Sequence, residues 1–156
     1  MRCLSPDQGQ LHKTLTLRQK EWAFRRGWKV SALCRPESGI ACVALSTGQS
    51  ARRFDTGFQA TPDRVELIAT NRVRTGWDGI HAAVTLPPPP RLVRLEMAYD
   101  PVSARATVSV DGQILIRDYA GYSEYRGGQA VSFAVASKDG SMASAVFGGL
   151  HFEILG

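Results

Sequence analysis

Between Leu92 and Ile116 apolar side chains fall on every second residue. Val93, Leu95, Met97 and Tyr99 alternate with Arg94, Glu96 and Ala98, the period of a strand with one buried face. Asp100-Pro101 interrupts the run, because proline offers no N–H to a ladder. Ala104, Ala106, Val108 and Val110 then alternate with Arg105, Thr107 and Ser109. Asp111-Gly112 follows, a dipeptide that tolerates positive φ and suits a tight hairpin. Ile114 and Ile116 resume beyond it. This pattern predicts three antiparallel strands in a meander.

The same period recurs along most of the chain. Leu11–Leu17 alternates weakly and reads as an edge strand. Trp28–Cys34 and Ile40–Leu45 flank a turn at Pro36-Glu37-Ser38-Gly39. If these two form a hairpin, Cys34 and Cys42 fall opposite each other within bridging range, or remain as two buried thiols. Arg52–Phe58 carries Phe54 and Phe58 on one face. Thr61-Pro62-Asp63 turns the chain into Val65, Leu67 and Ala69, and Ile80–Leu86 follows. Pro87–Pro90 cannot pair in a sheet and reads as a stiff spacer between strands. Tyr119–Gly128, rich in Gly, Tyr and charge, reads as a long surface loop. Val131, Phe133 and Val135, then Ala143–Phe147 and Leu150–Leu155, close the chain. The only helix candidate is Arg18–Arg26. About eleven short strands with almost no helix predict an all-β, two-sheet antiparallel sandwich. Residues 1–10 read as a flexible arm and 11–156 as a single domain.

Composition adjusts this picture little. The 156 residues are 44% hydrophobic and 21% charged, with 15 Gly and 8 Pro to supply turns. The net charge of +5 is spread along the chain, and no basic strand carries interleaved aromatics, so nucleic acid is not an expected partner. No run approaches the length of a membrane span, so no membrane partner is expected. The start lacks the apolar core of a secretory signal. The chain as written therefore reads as cytoplasmic, or as extracellular if a leader has been removed. Three cysteines without metal spacing exclude a zinc ribbon and a dense disulfide framework.

Tyr99-Asp100-Pro101 and Val108-Ser109-Val110-Asp111-Gly112 carry a family resemblance. So do Phe147-Gly148-Gly149-Leu150-His151-Phe152, Gly27-Trp28 and Arg52-Arg53-Phe54. The chain resembles the concanavalin A-like lectin/glucanase jelly roll in its laminin-G-like version, closest to the lectin-like modules accompanying bacterial sialidases. The resemblance implies a jelly-roll sandwich that binds a glycan or a protein. It departs from the glucanases, whose acids cluster on one strand. Here Glu66, Glu96 and Glu153 stand apart, whereas glycoside hydrolysis needs two carboxyls facing one bond. The expectation is a non-catalytic carbohydrate-binding module, possible for acidic glycans, with a protein-interaction domain as the alternative and a glycosidase behind both.

Sugar binding calls for an exposed ring to stack on a pyranose and polar groups to bond its hydroxyls. Trp77 with Asp78, and Tyr122 with Tyr125, offer that chemistry, or else pack their loops on the sandwich. Arg52 and Arg53 are candidates to clamp a carboxylate through the guanidinium fork. Adjacent strand residues point to opposite faces, so at most one of the two can face a given groove. No cofactor is expected. Calcium, which laminin-G-like folds sometimes hold, would have to draw on the scattered Asp78, Asp111 and Asp139.

Overall fold

The computed structural model describes residues 2–5, 10–17, 26–49, 52–69, 82–121, 128–137 and 140–156. Among these residues the chain forms twelve strands: β1 (Arg2–Ser5), β2 (Gln10–Leu17), β3 (Trp28–Ser38), β4 (Ile40–Gln49), β5 (Arg52–Thr61), β6 (Arg64–Ala69), β7 (Ala82–Thr85), β8 (Val93–Asp100), β9 (Arg105–Val110), β10 (Gln113–Tyr119), β11 (Gly128–Ala136) and β12 (Ala143–Ile154). They make two six-stranded antiparallel sheets. Sheet I has the order β1-β12-β3-β8-β9-β10, and sheet II the order β2-β11-β4-β5-β6-β7. The protein is an all-β jelly-roll sandwich.

The alternation decides which faces meet. Val93, Leu95, Met97 and Tyr99 on β8 are buried, as are Ala106, Val108 and Val110 on β9. From sheet II they meet Val43 and Leu45, Phe54 and Phe58, Val65 and Leu67, and Val131, Phe133 and Val135. The β8-β9-β10 meander is present as expected. At its hairpin Asp111 and Gly112 take φ of 49° and 81°, the conformation that an Asp-Gly turn supplies at low cost. The Asp111 carboxylate accepts a hydrogen bond from the Arg94 amide at 2.7 Å. The buried face of β12 changes phase midway. Ala143, Ala145 and Phe147 are buried, then Leu150 and Phe152 pack against the core, because the register shifts between Gly148 and His151.

Three expectations need correction. Arg2–Ser5, read as part of an arm, is strand β1, paired with Val146–Ala143 of β12. β3 and β4 are not a hairpin: they belong to different sheets, the chain crossing between them at Gly39. Cys34 lies in the core and Cys42 is half-buried on sheet II, and both are free thiols. Tyr119 is not in a surface loop but ends β10, buried. Pro87–Pro90 does join β7 of sheet II to β8 of sheet I, as a spacer should. The helix candidate at 18–26 falls outside the described residues except for Arg26, which is exposed.

Candidate functional site

The face of sheet II that points away from the core is unusual in composition. A solvated antiparallel face normally carries long polar side chains. Two central neighbours, β4 and β11, place only small residues there. In register these are Gly48 with Gly128, Ser46 with Ala130, Ala44 with Ser132, and Cys42 with Ala134. Four consecutive pairs span about 20 Å along the strands, at about 3.4 Å per residue. Small residues keep this strip low beside the longer side chains of β5 and β6, and the strip is the candidate trough.

One wall comes from β5 and β6. Alternation on β5 sends Arg53, Asp55 and Gln59 to this face, with Asp55 opposite Ser46 and Gln59 opposite Cys42. Glu66 of β6 lies opposite Gln59, and Arg64 opposite Thr61. On the other side β2 brings His12 into register with Ala134, and Thr14 with Ser132. Although they face away from the core, Arg53 is only 8% exposed and Asp55 only 1%. The Arg53 Nε–H donates to both Asp55 carboxylate oxygens, at 3.0 and 2.9 Å. Burial of each charge is offset by the other, since a lone buried ion would be costly. A second, more exposed pair joins Arg64 Nε to Glu66 Oε1 at 2.8 Å.

The start of β5 is held from the opposite sheet. In the described pairing β6 reaches only as far as Gly57 of β5. Two residues earlier, the Asp55 N–H donates to the Tyr119 hydroxyl at 3.1 Å, and that hydroxyl donates to the Asp55 carbonyl at 2.8 Å. A phenol from β10 thus bonds the Asp55 N–H and carbonyl together, as a strand's backbone would. Arg52 Nη1 donates to the Ala104 and Ala120 carbonyls, both at 3.3 Å. Gly121 completes the contact. Its φ is +65°, and a Cβ there would lie 2.5 Å from the Arg53 carbonyl oxygen, so no side chain fits.

Beneath this corner lies an aromatic cluster. The Phe54 ring meets Trp28 at 5.7 Å, Tyr99 at 5.3 Å and Tyr119 at 5.5 Å, all edge-on, while Trp28 stacks on Tyr99 at 5.4 Å. Burial raises the Tyr99 phenol above its ordinary range, the Arg52 charge opposing and the Asp100 charge adding to the rise. Among the described residues no group of three or more His, Cys, Asp or Glu side chains is placed to hold a metal ion.

The two candidate arginines point to opposite faces, as adjacent strand positions must. Arg53 is on the trough wall and Arg52 at the end of the sandwich, bonded to backbone carbonyls rather than aimed into the trough. Trp77, Asp78, Tyr122 and Tyr125 lie outside the described residues. Sequence reasoning missed Asp55, and it set Tyr119 in a surface loop rather than against the Asp55 backbone. An acid two residues after Arg53 on one strand was a readable signal for the first. Nothing local marked the second, because its partner is 64 residues away. The small residues of β4 and β11 were readable singly, but not as one floor.

No family model matches the chain, and no curated protein does. Several solved structures share its fold. Alginate lyase A1-II′, a member of polysaccharide lyase family 7, is 15% identical with a TM-score of 0.61, the match covering 99% of this chain and 79% of the lyase. An alginate lyase from Pseudomonas aeruginosa is 20% identical with a TM-score of 0.59, covering 98% and 82%. The carbohydrate recognition domain of Emp46p is 8% identical with a TM-score of 0.56, covering 99% and 82%. At such identities the likeness is one of fold, the concanavalin A-like sandwich.

Proposed function

We propose that this protein binds an extended acidic polysaccharide along the outer face of sheet II and does not cleave it. The observation that carries the reading is the small-residue floor of β4 and β11 beside the buried Arg53–Asp55 pair. A floor of Gly, Ala, Ser and Cys admits the bulk of a sugar ring, while Gln59 and the more exposed Arg64–Glu66 pair supply donors and acceptors for its hydroxyls. The net charge of +5 favours a polyanion. Two of the structural neighbours are lyases of alginate and a third is a carbohydrate recognition domain, which supports a glycan as the ligand class. The laminin-G-like resemblance of the Tyr99–Gly112 segment supports binding without cleavage. So does the engagement of Asp55 and Glu66 by arginines, which holds both carboxylates in ion pairs.

Calorimetric titration with alginate oligosaccharides, and with neutral manno-oligosaccharides beside them, tests this. The uronate chain is expected to bind more tightly than the neutral one, with affinity falling as salt rises. Ser46→Arg, which fills the floor, is expected to abolish binding while the β-sheet circular dichroism stays unchanged. Absence of binding to either chain would overturn the reading. Release of unsaturated uronate, seen by its ultraviolet absorbance, would overturn the non-cleaving part and make the protein a lyase.

A further inference from the structure

We infer that Tyr119 is a positioning residue for the trough: its hydroxyl latches the start of β5 across the sandwich and so sets where Arg53 and Asp55 stand. Three observations meet here. The Tyr119 hydroxyl both accepts from the Asp55 N–H and donates to the Asp55 carbonyl, at 3.1 and 2.8 Å. Arg52, three residues before Asp55, is bound to the carbonyl of Ala120, the residue after Tyr119. Gly121 lies against the Arg53 carbonyl and the Phe54 ring so closely that a methyl group would not fit. Three consecutive residues of sheet I's edge strand and its exit therefore grip four consecutive residues of sheet II.

The grip acts on the β5 backbone itself. At Asp55 that backbone pairs with Ser46 of β4, and the Tyr119 phenol bonds both its N–H and its carbonyl. A shift of the strand at this point would carry the Arg53 and Asp55 side chains with it. Because β10 is an edge strand of sheet I, the trough on sheet II takes its alignment from the opposite layer. A binding site needs its polar groups placed within about half an ångström, so the latch bears on ligand affinity without touching ligand.

The affinity part rests on the glycan-binding reading, and the experiment keeps the two apart. Tyr119→Phe keeps the ring against Phe54 and removes only the hydroxyl. Val93→Ala is the control: it loosens the core at the end of β8 opposite to Tyr99, the residue that meets Phe54. Both are titrated with alginate oligosaccharide, their stabilities are measured by urea unfolding, and the Asp55 amide and Arg53 Nε–H are followed by NMR. The expected result is a loss of about three- to thirtyfold in affinity for Tyr119→Phe. Val93→Ala, of equal or lower stability, keeps wild-type affinity. In Tyr119→Phe the Asp55 amide exchanges faster and the Arg53 Nε–H resonance shifts. Unchanged affinity in Tyr119→Phe, or an equal loss in Val93→Ala, overturns the inference. If the wild type binds no uronate chain, the functional reading falls, and the NMR signals still decide the latch: if unchanged in Tyr119→Phe, they refute it.

Discussion

Removing one member of the Arg53–Asp55 pair is expected to cost far more than removing both. The side chains are 10% and 2% exposed, with Nε 2.9 Å from the nearer carboxylate oxygen, so water screens the pair poorly. Asp55→Leu takes the bonded carboxylate away from a buried guanidinium, and Arg53→Met takes the bonded guanidinium away from a buried carboxylate. Each is expected to cost about 3–5 kcal/mol, the range for breaking a buried pair. At about 2–4 °C per kcal/mol for a chain of this size, the melting temperature should fall by about 6–20 °C. The double variant removes both charges of the pair and fills the site with apolar volume, so it should lie much closer to wild type than either single variant. If the double variant matches wild type, the double-mutant cycle yields a coupling of about 6–10 kcal/mol, the sum of the two single costs. Urea unfolding is the assay, with the slope m checked for constancy across the four proteins. Salt up to about 1 M should leave the coupling largely intact, since a buried pair is little screened. Single costs below about 1 kcal/mol, or additivity within about 0.5 kcal/mol, would refute the reasoning and assign the pair to solvent. The double variant should nevertheless lose the proposed glycan affinity, because fold and site draw on the same two charges in different ways.

Three further outcomes are expected. Among the described residues the Thr56 hydroxyl is buried without a hydrogen-bond partner, so Thr56→Val should stabilise by about 1 kcal/mol in urea unfolding; a loss of stability would show that the hydroxyl is satisfied. Burial, with a smaller contribution from Cys42, pushes the Cys34 thiol up to about 12, so at pH 8 a disulfide reagent should label it only as fast as the protein unfolds. Labelling at the rate of a free thiol would contradict its place in the core. Asp100 accepts hydrogen bonds from Ser103 and from the Val102 and Ser103 amides, which lower it below 3.8. A depressed carboxyl stabilises above its unfolded value and loses that contribution as pH falls through the native one. The acid limb of the stability–pH curve should therefore flatten in Asp100→Asn, and an unchanged limb would count against the turn's role.

By itself the sequence determined the layers. Hydrophobic alternation within a strand is local, and it specifies which residues face inward wherever the strand is placed. Val93–Tyr99, Ala106–Val110 and Val131–Val135 were legible for that reason, as was the Asp111-Gly112 turn, whose φ values are a property of two residues. The partners of those strands were not local. β3 and β4 are adjacent in sequence yet lie in opposite sheets, because a corner at Gly39 and a hairpin there read alike when only neighbours are considered. The trough floor needs β4 beside β11, and the latch needs Tyr119 beside Asp55. Such contacts join segments that chain proximity does not bring together, and only burial of the shared core selects them. Tertiary structure therefore decided that Arg53 is a buried ion and Arg52 a clasp at the sandwich end, a difference between two neighbouring residues of one type.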